Sequence, residues 1–139
     1  MSLSWAVIFL VAALSGDVHG SDVHRYRLDN GLTVLMAPNR AAPVVALQAW
    51  VGVGAADERR GSIGVAHVFE HMLFKGTERR GVGEIAQDVE AAGGEINAWT
   101  TFNQTVYHVV LASRYFDTGL DVLADALQNS AFDAGELER

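Results

Sequence analysis

Residues 65–74 read Val-Ala-His-Val-Phe-Glu-His-Met-Leu-Phe, a run in which His67, Glu70 and His71 are the only polar side chains. The spacing predicts a helix from about Ser62 to Phe74, stopped by Gly76. Such a helix is apolar nearly all round, so it is expected to be buried. At about 100° per residue, positions 67, 70 and 71 fall within one arc about 100° wide. Two imidazoles one turn apart can grip a single ion with nitrogens about 2.0–2.1 Å from it. Glu70 shares their face without having to be a ligand, which leaves it free to handle a proton. Burying two histidines and a glutamate is costly unless something satisfies them, and a metal with its water does so. The alternative is a chance spacing on an ordinary core helix.

The flanking segments bound the fold. Arg25–Leu28 and Leu32–Met36 surround Asp29-Asn30-Gly31, which predicts a β-hairpin with positive φ at both Asn30 and Gly31. Val44–Val53 is a third strand. A second helix is expected over Glu84–Ala92, ended by Gly93-Gly94. Glu95–Thr100 and Thr105–Leu111 follow as two more strands. Leu120, Leu123, Ala124 and Leu127 have helical spacing, giving a third helix over Tyr115–Gln128 with Ser113 as its cap. Asp133 and Glu136 have capping-box spacing and start a further helix at about Ala134. The order is α+β: a two-layer arrangement with helices on one face of a mainly antiparallel sheet.

Length and charge exclude several classes. The 139 residues suit one domain, and half of them are apolar, so a real core is available. A net charge of −7 without a Lys/Arg cluster argues against nucleic acid as a partner. The absence of cysteine excludes disulfides, thiolate metal sites, a Cys nucleophile and a lipoprotein anchor. Trp5–Leu14 is ten uncharged apolar residues, too short for a spanning helix but suited to an export signal, and Val18-His19-Gly20 offers a cleavage site. Residues 1–20 are therefore expected to be a signal peptide and 21–139 the exported part, periplasmic or secreted. Cleavage would leave no stable membrane anchor; an uncleaved anchor is the alternative.

The segment Gly64-Val-Ala-His-Val-Phe-Glu-His-Met-Leu-Phe-Lys-Gly-Thr77 resembles the active-site segment of the pitrilysin/insulysin metallopeptidases, the inverzincins. Leu28-Asp29-Asn30-Gly31-Leu32 is similar to that family's opening hairpin. Glu90–Thr100 is similar to its Gly-rich turn and following strand, Thr105-Val106-Tyr107 to the next strand, and Phe132–Arg139 to the approach to its distal glutamate. The resemblance covers about residues 23–139, and within this insulinase-like, mitochondrial-processing-peptidase-like family its flavour is that of the processing-protease-like bacterial members, not the very large insulysins.

The resemblance implies a zinc-dependent endopeptidase acting on extended peptides. His67 and His71 would be Zn2+ ligands and Glu70 the general base. Asn97 and Ala98, on an edge strand, would bind substrate by β-augmentation, a mode with broad sequence tolerance. A catalytic zinc takes three protein ligands plus water; the family's third, a glutamate, falls just past Arg139, and neither Glu136 nor Glu138 inherits that role. The family also closes its substrate between this half and a second of the same fold, so the expected partner is a C-terminal half-domain or partner subunit. The chain is thus expected to be the N-terminal part of the peptidase's N-terminal domain and inactive alone. The alternative is a non-catalytic partner subunit or peptide-binding module on the same fold. His108 is expected to face a pocket wall or solvent, Trp50 and Trp99 to be core, and Glu58-Arg59-Arg60 and Glu78-Arg79-Arg80 to be solvated loops.

Overall fold

A computed structural model describes residues 5–9 and 23–139. Its strands are β1 (Trp5–Phe9), β2 (His24–Arg27), β3 (Thr33–Met36), β4 (Val44–Val51), β5 (Glu95–Thr100) and β6 (Thr105–Ala112). Its helices are α1 (Val65–Leu73), α2 (Glu84–Ala91), α3 (Phe116–Asn129) and α4 (Ala134–Leu137). The strands form one sheet in the order β2-β3-β1-β4-β6-β5. Every neighbouring pair is antiparallel except β1 with β3. The α+β class and the mainly antiparallel sheet are as expected.

Part of the apolar segment read as an export signal, Trp5–Phe9, is a strand of this sheet, lying between β3 and β4. The rest of the expected signal, residues 1–4 and 10–20, lies outside the described residues.

Period-2 alternation assigns the two faces of the sheet. Val45, Leu47, Ala49 and Val51 of β4, Tyr107, Val109 and Leu111 of β6, and Ile96 and Ala98 of β5 face the core. Ile85 and Val89 of α2 and Val122, Leu123 and Ala126 of α3 close over them. Each fully buried Leu, Ile or Val contributes about 1.5–3 kcal/mol. Gly119 sets how near α3 can lie: a Cβ there would stand 2.7 Å from the Leu111 side chain and 3.0 Å from that of Leu47. Trp50 and Trp99 are not in this core. They meet edge-to-face at 6.3 Å, half-buried, on the sheet face away from the helices, because their positions alternate with the core set.

Several local expectations are corrected. In the hairpin only Gly31 has positive φ (+87°); Asn30 instead accepts from the Leu32 N–H through its side chain at 3.0 Å. A turn closed by Gly31 N–H to Leu28 C=O thus replaces the doubly left-handed one. Ser113 does not cap α3, since Ser113–Tyr115 form a 3-10 turn leading into it. Asp133 does cap α4, accepting from the Glu136 N–H at 3.1 Å. α1 is not buried all round: Val65, Val68 and Phe69 are exposed while Ala66, Met72 and Leu73 are buried.

Arg80 is not a solvated loop residue. Its guanidinium donates to Asp88 at 2.9 Å and to Asp121 and Asp125 at 2.5 Å each. Thr77 adds a hydroxyl donation to Asp125 at 2.8 Å, and its backbone bridges to Ser130. The loop leaving α1 is thereby tied to α3. Burial alone would raise the Asp125 carboxyl, but hydrogen bonds from Asn129, Thr77 and Arg80 outweigh it and hold the pKa at about 2. A carboxylate with a lowered pKa stabilises the fold above its unfolded pKa and loses that contribution as pH falls through the folded value. Asp125→Asn should therefore cost about 2 kcal/mol at pH 7. In urea unfolding, the difference from the parent chain should shrink between about pH 4 and pH 2.

Candidate metal centre

The helix that carries the histidines is fixed at both ends. At its start Gly64 takes the left-handed conformation (φ +92°) and precedes α1. Glu58, expected in a solvated loop, reaches across and accepts from the Gly64 and Ala66 N–H groups at 2.8 and 3.0 Å. These two backbone donors hold its carboxyl below the usual glutamate range. They are among the orphan N–H groups of a helix start, which favour a nearby anion. At the other end the Ser130 hydroxyl lies 3.4 Å from the Met72 and Leu73 carbonyl oxygens.

His67 and His71 stand one turn apart on the exposed side of α1, with Nε2 atoms 3.1 Å apart and ring centroids 4.6 Å apart. Two ligands at about 2.0–2.1 Å around a tetrahedral ion lie about 3.3 Å from one another, so the pair fits a zinc ion. One atom each of His67, Glu70 and His71 lies within 4.8 Å of the others, the one such group of three among the described residues. Both nitrogens and the carboxylate are the donor types zinc takes. Glu70 is 9% exposed, and the Thr100 hydroxyl donates to its carboxylate. Behind it sits Tyr107, whose phenol burial pushes up to about 12, with the Glu70 charge adding to the effect.

A cavity of about 310 Å³ opens beside the helix, lined by Glu70, His71, Lys75, Asn97 and Ala98 among others. Its far wall is β5, the edge strand of the sheet. Four of the five residues singled out in the sequence line this cavity, and His67 joins them through its contact with His71. Ala98 faces the helices, whereas Asn97 lies on the alternate, exposed position and accepts from the Ala98 N–H through its side chain at 2.9 Å. His108 stays apart from the cavity, on the opposite sheet face, with its ring 5.1 Å from that of Trp99. A larger cavity of about 420 Å³, lined by Val65, Phe69, Leu73 and Phe132, holds neither histidine nor Glu70. Glu136 pairs with Lys75 at 3.8 Å and Arg139 at 2.5 Å.

Residues 33–139 match the sequence profile described as Insulinase (Peptidase family M16). The chain belongs to that family. The beta subunit of the mitochondrial-processing peptidase of Blastocladiella emersonii is 40% identical over 113 residues, 81% of this chain and 24% of the relative. The uncharacterized zinc protease YmxG of Bacillus subtilis (strain 168) is 35% identical over 117 residues, 84% of this chain and 29% of that protein. Among solved structures, a protease from Helicobacter pylori superposes with a TM-score of 0.80 at 29% identity, over 84% of this chain and 28% of the other. Pitrilysin does so with a TM-score of 0.81 at 27% identity, over 88% of this chain and 13% of the other. The chain therefore spans about a quarter of the length of the curated relatives it matches.

Within this insulinase-family domain, sequence reasoning missed Glu58, Thr100 and Thr105. Glu58 lies six residues before Gly64, outside any capping spacing, and the threonines act across a strand pair that only the fold defines. Glu58→Ala should lower the urea midpoint and weaken zinc binding, because the start of α1 frays. Glu58→Gln, which keeps an acceptor but not the charge, should fall between the two; equal zinc affinity in all three proteins would show that the cap does not position the histidines.

Proposed function

We propose that this chain carries the metal-binding helix and the substrate-pairing edge of a zinc-dependent endopeptidase. One observation carries the reading: two imidazole nitrogens 3.1 Å apart flank a nearly buried glutamate, at a cavity walled by a free strand edge. The family membership and the relatives' names as zinc proteases support it. His67 and His71 would hold the ion, which when bound lowers the pKa of a water toward about 7 and polarises a carbonyl. Glu70 takes the proton of the attacking water and returns it to the leaving amine. Asn97 and Ala98 sit where an extended peptide would add to β5 as a further strand, held by main-chain hydrogen bonds that are indifferent to side chains. The Asn97 side chain now occupies the Ala98 donor, so peptide pairing would displace it.

The partner implied is a second unit of the same fold that closes over the exposed side of α1, where Val65, Val68 and Phe69 face outward. We also propose export, with cleavage after Gly20. Cleavage would remove β1 from between β3 and β4, so the mature sheet would need another strand there.

Three measurements test this. Zinc titration of the purified chain should saturate at one weakly held ion per molecule, lost in His67→Ala and kept in Glu70→Gln; zinc binding unchanged in His67→Ala sinks the assignment. In an amide NMR titration with an extended peptide, shifts should concentrate on Glu95–Thr100, and shifts confined to another surface would discard the edge as the binding site. Intact mass of the exported product should start at Ser21 if the signal is cleaved there.

A further inference from the structure

We propose that Thr100 is a positioning residue for Glu70. Its hydroxyl keeps the carboxylate turned toward the sheet and off the histidine pair, so that Glu70 serves as a base and does not become a ligand. The inference rests on the metal site proposed above.

Proton bookkeeping fixes the direction of the network. Thr100 ends β5 and Thr105 begins β6, and the two are register partners on the core-facing side. Thr105 is 4% exposed and donates its only hydroxyl proton to the Val53 carbonyl oxygen at 3.0 Å. Its oxygen lies 3.3 Å from that of Thr100. An ionised carboxylate accepts but cannot donate. Thr100 must therefore spend its one proton on the Glu70 Oε2 it touches. With the Thr105 proton committed to Val53, the Thr105 oxygen can only accept, so at 3.3 Å it is the weaker rival to Glu70 for the Thr100 proton. Thr100 is β-branched and stiff at χ1, so its hydroxyl holds its direction.

Two further features give this orientation a consequence. Among the described residues the Thr100 hydroxyl is the one hydrogen-bond donor recorded to the Glu70 side chain. A Glu70 oxygen also lies within 4.8 Å of the histidine nitrogens, so a modest side-chain rotation would bring it onto a bound ion as a third ligand. Carboxylates bind zinc readily. The residue that withholds Glu70 from this fate is Thr100, and neither its neighbour Thr101, bonded to Gln104, nor any group of α1 shares the task.

The test is a Co2+ titration of the whole chain followed by visible spectroscopy. Thr100→Val should bind Co2+ about tenfold more tightly with an altered d–d spectrum, a difference of the size a charge-assisted hydrogen bond supports. Adding Glu70→Gln should abolish the gain. Thr100→Ser should restore parent behaviour, and Thr101→Val should match the parent. Unchanged affinity and spectrum in Thr100→Val overturn the proposal, as does a change that persists with Glu70→Gln. If the parent chain binds no Co2+, the metal reading fails, and the metal-free protein decides the positioning role. There the side-chain carboxyl 13C resonance of Glu70 at pH 7 should move in Thr100→Val and stay put in Thr100→Ser and Thr101→Val; no movement overturns it. Should Thr100→Val fail to fold, Thr100→Ala carries the same comparisons.

Discussion

Glu70 is a carboxylate brought nearly out of water on a helix that packs against the edge of a sheet, and the layout of the site follows from meeting its needs. An isolated buried carboxylate is expensive, so it requires a donor on one side and an ion or solvent-facing partner on the other. Thr100 supplies the donor from β5. The imidazoles of His67 and His71, one turn of helix apart, lie within 4.8 Å of it on the side where an ion would sit. β5 therefore has two tasks: its core-facing side holds the glutamate while its free edge borders the cavity. The carboxylate and the free strand edge end up adjacent because one strand serves both.

Rigidity comes from outside that centre. Glu58 anchors the start of α1 through two N–H donors, and the Arg80–Asp125–Thr77 cluster ties the loop after α1 to α3. Gly119 lets α3 press against Leu47 and Leu111. These contacts rest on charge-assisted hydrogen bonds or on close packing, so they hold the helix in a fixed place on the sheet. The exposed apolar side of α1 is the exception: a helix apolar nearly all round has more face than this chain covers.

Much of this was legible in the residues. The His67–Glu70–His71 spacing needs only the pitch of a helix, and Gly93-Gly94 with the alternation after it placed β5 correctly at Glu95–Thr100. The hairpin position was legible too, but its turn type was not, because the Asn30 side chain satisfied the Leu32 N–H without a left-handed backbone. Ser113 looked like a cap and proved part of a 3-10 turn, an outcome set by where β6 delivers the chain. Trp50 and Trp99 read as core because they are large and lie in strands; which face of the sheet the helices cover decided otherwise.

By itself, then, the sequence determined what a local period can encode: the helix with both histidines and the glutamate on one side, the order of strands and helices, and the Asn97–Ala98 position after a glycine turn. Only the tertiary structure decided that β5 is an edge, that Thr100 rather than any nearer residue satisfies Glu70, and that Glu58 and Arg80 leave solvent to anchor the helix. The physical reason is range. Helix and strand periods act over a few residues, whereas the bond that satisfies Glu70 and the Arg80–Asp125 ion pair join groups 30 and 45 positions apart that meet only once the helices have packed on the sheet.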